Sequence, residues 1–368
     1  MQFRRLTAAV TITFMVVATA ACSGQGESEG GAGPQTTLAP LSEMSVPADP
    51  RNLTGTNTAV LENRAIDPVQ SDAKPALPVT VTSHDRAKES PVTVTDTSRV
   101  VAFDMAGSIA STMWGLGQGK RLVGRDISTD FPGSKKIPIV TKEGHSIDIE
   151  KVIELRPTLV LTDGTIGPLD VVEQLRDVGI PVVFVKNDPS FAGASELAHQ
   201  VAGALGVPEA GELLAQRIAS EIDGVKTEIA RFVPKDEAKR LRMVFLYIRG
   251  NSGVYYLFGD ESGAGDLISS LGGIDLAKEM GWEGMKPMTD EAIVDARPDL
   301  ILTMTHGLDS TDGVAGLLEA KPALALTPAG KNSRIIDMAD GDILNFGPRS
   351  ARVLDALARA VYSPGSTP

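Results

Sequence analysis

The chain has a single cysteine among its 368 residues, so the domain it encodes can close no internal disulfide and has no second thiol to work with. Aromatic residues are also sparse, and no apolar stretch after Cys22 approaches the roughly 20 residues that a membrane-crossing helix needs. Basic charge is missing as a stripe anywhere in the sequence, and the formal net charge is −12, which excludes nucleic acid as a partner. There is no His-Glu-x-x-His, no Walker loop and no Gly-x-Ser-x-Gly, and Gly263-Ala264-Gly265 is a lone glycine turn. With dispersed carboxylates and no catalytic constellation, the sequence reads as a binding protein rather than an enzyme.

What is present begins at the N-terminus. Arg4 and Arg5 precede an apolar run from Leu6 to Ala21, the pattern of an export signal over residues 1–21. Thr19-Ala20-Ala21-Cys22 resembles a lipobox, with Thr19 where leucine is usual. Lipidation of Cys22 would anchor the domain at the outer face of the cytoplasmic membrane; the alternative is a general secretory signal cleaved nearby, leaving a free thiol. Residues 22–76 are rich in Gly, Ser, Thr, Pro and acids without helical or strand periodicity, and read as a tether. The roughly 290 residues that remain exceed the usual single-domain length, so two lobes are expected.

An internal repeat organises those lobes. The segment from Asp148 to Thr162 reads Asp-Ile-Glu-Lys-Val-Ile-Glu-Leu-Arg-Pro-Thr-Leu-Val-Leu-Thr, and the segment from Thr289 to Thr303 reads Thr-Asp-Glu-Ala-Ile-Val-Asp-Ala-Arg-Pro-Asp-Leu-Ile-Leu-Thr, at a constant offset of 141 residues. Each copy opens on an N-cap residue, Asp148 or Thr289, and runs about two helical turns. Each stops at Arg-Pro because proline disfavours a right-handed helical residue before it, and then enters a buried apolar strand. A weaker echo relates Gly107–Met113 to Gly265–Leu271, each expected to open a helix after a short strand or glycine turn.

Apolar runs at Val100–Phe103, Leu159–Leu161, Val182–Val185, Met243–Tyr247 and Leu300–Leu302 alternate with helical patterns, which implies parallel sheets covered by helices. Between the halves, Leu214, Ile218, Ile222, Val225, Ile229 and Phe232 fall on one helical face, predicting a single helix over residues 209–233. The expected fold is therefore α/β: an N-terminal lobe over 77–208 and a C-terminal lobe over 234–368. Each has a mostly parallel sheet flanked by helices, one long helix joins them, and the ligand cleft lies between.

The paired helix-Arg-Pro-strand unit downstream of a lipobox resembles the lipid-anchored binding proteins for iron-siderophores, cobalamin and haem, over roughly Leu77 to Tyr362. Within that family, Tyr247-Ile248-Arg249-Gly250 together with Gly144-His145-Ser146 resembles the haemin-binding branch. The resemblance implies a substrate-binding lipoprotein of an ABC importer. It would carry ferric haem to a permease dimer with ATPase subunits and receive it from haem-binding surface proteins upstream.

The residues agree with that implication. Tyr247 ends a strand, where open parallel sheets bind their ligands, and Arg249 two positions on lies on the same side of an extended chain. A guanidinium and a ferric ion both favour the phenolate of a neighbouring tyrosine. His145 precedes the repeated helix of the first lobe and has Lys286 as its repeat partner, so it lies outside the shared framework. His145 and Tyr247 from opposite lobes are the expected axial pair, with His306 as reserve ligand. A strand-end tyrosine packing its ring, a solvated arginine and a surface histidine are the ordinary alternatives. Glu150 and Glu291 hold one position in the two copies and, by the resemblance, dock the permease; a favourable first-turn charge on a helix dipole would also explain both. A siderophore or cobalamin carrier of the same fold, or an exported haem- or metal-dependent enzyme, are the competing functions.

Overall fold

The computed structural model describes residues 39–71, 73–85, 88–142, 146–250 and 255–364. The export segment, Cys22 and His145 lie outside the described residues.

The described chain does not begin as a free tether. Strand β1 (Asn57–Ala59) pairs in parallel with a strand near the C-terminus, Asn57 opposite Ile336. Arg64 then binds Asp130 at 3.0 Å and Asp342 at 3.1 Å, and the Val69 N–H donates to the Gly115 carbonyl. Residues 57–69 are thus a strap, where composition alone suggested slack chain. Its anchoring runs through a three-residue strand and backbone contacts, which leave no periodic apolar signature.

The N-terminal lobe follows, with the antiparallel ribbon β2 (Val79–Ser83) and β3 (Ser90–Val94). Strands β4 (Val100–Phe103), β5 (Leu122–Arg125), β8 (Leu159–Thr162) and β9 (Val182–Phe184) form a parallel sheet in the order β5-β4-β8-β9. Between β5 and β8 lies the short antiparallel pair β6 (Thr141–Lys142) and β7 (Ser146–Ile147). Every residue of β4 and β8 is buried, as expected for strands covered on both faces. The covering helices are α1 (Ser108–Gly115), α2 (Ile149–Glu154), α3 (Leu169–Asp177) and α4 (Phe191–Leu205).

Helix α5 (Pro208–Ile229) joins the lobes. Proline at its first turn removes no needed N–H, and its 22 residues span about 33 Å. Leu214, Ile218, Ile222 and Ile229 form its buried face, against α4 and the C-terminal helix. The helix stops three residues before Phe232, which continues the expected stripe as a partly buried residue.

The C-terminal lobe contains β10 (Arg242–Ile248), β11 (Tyr255–Phe258), β12 (Ile274–Asp275), β13 (Met285–Pro287), β14 (Leu300–Met304) and β15 (Ile335–Met338). Its helices are α6 (Ala264–Ser270), α7 (Leu276–Glu279), α8 (Asp290–Ala296), α9 (Thr305–Asp309), α10 (Gly313–Ala320), α11 (Pro322–Leu326), α12 (Pro328–Lys331), α13 (Asp340–Ile343) and α14 (Ser350–Tyr362). In the sheet, β1, β15, β14 and β10 are parallel, β12 runs parallel to β10, and β11 and β13 add antiparallel. The first, second and third parallel strands of each lobe have the same arrangement: β4 between β5 and β8, and β10 between β12 and β14. One apolar core runs from Val100 and Leu159 through α4, α5 and α14 to Phe245 and Leu302, so packing as well as the helix joins the lobes.

The repeat is visible atom by atom. Asp148 caps α2 by accepting the Lys151 N–H, and Thr289 caps α8 by accepting the Ala292 N–H. The Thr158 N–H donates to the Arg99 carbonyl at 2.7 Å and the Asp299 N–H to the Arg242 carbonyl at 2.8 Å. Arg156 and Arg297 have φ of 47° and 51°, so both turn left-handed at the helix end rather than merely extending before proline. The weaker echo needs a shift: the residue matching Gly107 is Gly263, not Gly265. Both are left-handed N-caps, of α1 and α6, while Gly265 already lies inside its helix.

Candidate ligand-binding cleft

In an open parallel sheet whose strand order reverses, the carboxyl ends of the two strands flanking the reversal leave a crevice. Here those strands are β4 and β8 in one lobe and β10 and β14 in the other. At and just beyond their carboxyl ends stand Asp104-Met105 and Asp163-Gly164-Thr165 in the first lobe, and Tyr247 to Arg249 and Thr305-His306 in the second. The two crevices meet where the Asn345 side chain donates to the Ala106 carbonyl at 2.7 Å. They also meet where Gly341 lies so near Ser128 that a Cβ would sit 2.7 Å from its carbonyl oxygen. A small cavity at this boundary is lined by Asp104, Ala106, Asp163, Asp188, Leu344 and Phe346.

The C-terminal wall is a set of rings on a sheet. Alternation along β10 turns Val244, Leu246 and Ile248 to one core cluster and Phe245 and Tyr247 to the other face. Tyr247 stands opposite Tyr256 of β11. The Phe258 ring stacks on Phe245 at 5.2 Å and 10° and on Tyr247 at 5.8 Å and 11°, which fixes the plane of the half-buried Tyr247 ring. The Arg249 guanidinium carbon lies 5.7 Å from the Tyr247 centroid, so tyrosine and arginine do share a side of the chain. His306 is exposed in the first turn of α9, and its N–H donates to Asp340 at 3.0 Å. Tyr255, on the opposite face of β11, is buried and donates to Asp290 at 3.2 Å. Burial, with the charges of Asp290 and Glu291, pushes its phenol upward.

The N-terminal wall is made of loops, each held by a buried acid. Asp104 accepts the N–H groups of Ala106, Ser108 and Ile109 at 3.1, 2.9 and 2.8 Å. Asp126 accepts the N–H of Asp104 at 3.2 Å and the N–H and hydroxyl of Thr129 at 2.7 and 3.1 Å. Burial, reinforced by the charges of Asp126 and Asp163, raises the Asp104 carboxyl well above its ordinary range. Burial pushes Asp126 up to about 6, against hydrogen bonds that favour its carboxylate. Neither acid, nor Met105, Ile127 or Phe258, was picked out from sequence, although an aspartate directly after an apolar strand, in Val-Val-Ala-Phe-Asp and in Leu-Val-Gly-Arg-Asp, is a readable signal.

Of the remaining sequence candidates, Glu150 and Glu291 are both exposed in the first turns of α2 and α8. Two further histidines lie away from the cleft and face carboxylates, His84 with Glu89 at 2.8 Å and His199 with Glu212 at 3.1 Å. Arg349 is buried on Asp342 at 2.5 Å. Among the described residues no group of three or more His, Cys, Asp or Glu could hold a metal ion.

Residues 105–340 match the family model of periplasmic binding proteins, and the chain belongs to that family. A curated relative is the uncharacterized ABC transporter substrate-binding lipoprotein YvrC of Bacillus subtilis (strain 168), 28% identical over 300 residues, 80% of this chain and 90% of the relative. The solved heme-binding protein HmuT is 37% identical with a TM-score of 0.80, covering 86% of this chain and 99% of that one. HmuT has also been solved with an arginine, a tyrosine and a histidine each replaced by alanine, the tyrosine and arginine standing two positions apart. The periplasmic heme-binding protein RhuT from Roseiflexus sp. RS-1 is 33% identical with a TM-score of 0.65, covering 73% of this chain and 99% of that one.

Proposed function

We propose that this chain is the substrate-binding lipoprotein of an ABC importer and that its ligand is haem, gripped between the lobes and handed to the permease. The observation that carries the reading is the Tyr247 and Arg249 pair at the carboxyl end of β10, the cation 5.7 Å from the ring. A phenol oxygen is a ligand for ferric iron, and a cation beside it favours the ionised form that iron binds. The same two-residue spacing of tyrosine and arginine in HmuT supports it. Tyr247 supplies one axial ligand and His145, from the other lobe, the second, with His306 next in line. Two protein ligands close both faces of the iron, which suits a carrier and not an enzyme. Cys22 carries the lipid, at the outer face of the cytoplasmic membrane, and surface haem-binding proteins are the donors upstream.

The test is a haemin titration of the purified chain followed by absorbance, in the parent and in His145→Ala, Tyr247→Ala and the double variant. The parent binds one haemin, each single variant changes the spectrum, and the double variant binds far more weakly. An unchanged spectrum in the double variant removes the axial assignment. A siderophore or cobalamin carrier would leave haemin with the spectrum it has free in solution, and an enzyme would show turnover.

Glu150 and Glu291 dock the permease dimer with its ATPase subunits, one from each lobe. They are exposed and occupy equivalent positions of α2 and α8, which suits a partner with twofold symmetry. Replacing both by glutamine leaves haemin affinity intact and lowers uptake and stimulated ATP hydrolysis. Equal transport, with only a slightly lower melting temperature, would leave helix-dipole stabilisation as their sole role.

A further inference from the structure

We propose that Met105 and Ile127 form an apolar platform on the N-terminal lobe against which one face of the porphyrin lies, an assignment that rests on the haem reading. Both are exposed, 43% and 53%. Scattered apolar side chains on a surface are ordinary; what sets this pair apart is how it is held. Each follows a buried aspartate at the carboxyl end of one of two adjacent parallel strands, β4 and β5. Asp104 and Asp126 fasten the backbone around them, and the Asp104 N–H donates to Asp126 at 3.2 Å, which ties the two loops together. The Met105 N–H donates to the Thr165 hydroxyl at 2.9 Å and the Ile127 N–H to the Thr141 hydroxyl at 3.1 Å. The backbone at both positions is therefore pinned, and the side chains are presented outward.

Position identifies the occupant. The residue after each of the pair touches the C-terminal lobe, Ala106 through Asn345 and Ser128 through Gly341, so the platform stands where the cleft opens. Thr141, which pins Ile127, belongs to β6, and β6 and β7 flank the segment that contains His145. The opposite wall carries the rings of Tyr247, Tyr256 and Phe258. A flat, largely apolar ligand with polar edges fits between a ring wall and two aliphatic side chains, and burying those side chains rewards it whether or not a metal is present.

The platform and the axial ligands make separable contributions, so iron-free protoporphyrin IX, which no axial ligand can hold, is the discriminating probe. Met105→Ser with Ile127→Ser in the full chain keeps the parent melting temperature, because both side chains are exposed. It weakens both haemin and iron-free protoporphyrin IX by about tenfold or more. Met105→Leu with Ile127→Val restores both affinities, and His145→Ala with Tyr247→Phe, which keeps the ring and removes its oxygen, weakens haemin while leaving the iron-free porphyrin unaffected. If the serine variant binds both porphyrins as the parent does, the platform is refuted and the haem reading stands. That outcome together with lost uptake would assign the patch to the permease instead. A parent that binds neither porphyrin overturns both readings.

Discussion

The two lobes share a frame and differ in what is mounted on it. In both, a glycine with positive φ caps an early helix, α1 or α6, a later capped helix ends in a left-handed arginine before proline, and the next strand enters the sheet beside the first strand. In the C-terminal lobe the excursion after the first strand is itself a strand: β11 folds back on β10 and presents stacked rings from a sheet. In the N-terminal lobe there is no such strand among the described residues, and loops fastened by buried carboxylates do the presenting. A duplicated unit supplies the shared geometry, and the insertions between its strands make one cleft out of two unlike walls. A ring wall on a sheet suits a ligand atom that must be aimed; a loop wall suits adjustable apolar contact.

The largest effect is expected where the two lobes meet. Asp342 is buried between Arg349 and Arg64, and Asp342→Ala leaves the buried Arg349 guanidinium without its carboxylate. The expected loss is about 3 to 5 kcal/mol in chemical denaturation. A loss below ~1 kcal/mol, the range of exposed pairs, would mean that the cluster is decorative.

The next effect is confined to the loop wall. Asp126 stands at about 6 rather than the ordinary 3.8, so between those values the folded chain holds a proton that the unfolded chain has released. Stability from this group is therefore full at the acid end and is lost as pH rises to about 6, with an amplitude of roughly 2 to 3 kcal/mol. Asp126→Asn cannot titrate, and thermal melts across that window should show a flatter slope than in the parent. Asp104, raised for the same reason, keeps the slope from vanishing. An identical slope in the variant would show that Asp126 titrates normally.

The smallest effect tests the sameness of the frame. Arg156→Gly and Arg297→Gly each relieve a left-handed non-glycine residue, worth about 1 kcal/mol before the added freedom of the unfolded chain is subtracted. Melting temperatures should shift slightly, and by similar amounts in the two lobes. Opposite signs would mean that one arginine side chain does something the other does not.

Most of the frame was legible in the sequence because it is built from periodic signals. The 141-residue offset, the buried runs Val100–Phe103 and Leu300–Leu302, and the stripe along α5 all follow from side-chain burial, which writes itself into composition. The left-handed arginines were not legible, since proline only bars one conformation and leaves the choice of another to the tertiary path. The strap was missed because its contacts use three strand residues and one arginine. On the cleft, Tyr247 and Arg249 stood out through the family resemblance, with which their two-residue spacing agrees, whereas Met105 and Ile127 have no pattern of their own. Their meaning comes from Asp104 and Asp126, which become neighbours only once β4 and β5 pair.

The strap has a consequence for the order in which the molecule can be completed. Thr56 bonds to Ile335 across 279 residues of chain, and β1 is an edge strand whose partner β15 lies near the far end of the sequence. When a chain emerges N-terminus first, local pairings form early and those between distant segments wait. The four strands of the N-terminal sheet can therefore assemble while the last lobe is still being made, and β1 must remain unpaired until β15 arrives. The first segment of the domain to emerge is the last to be fastened, and its fastening brings Arg64 to both lobes at once, so that completion of the fold and the setting of the cleft are a single late event.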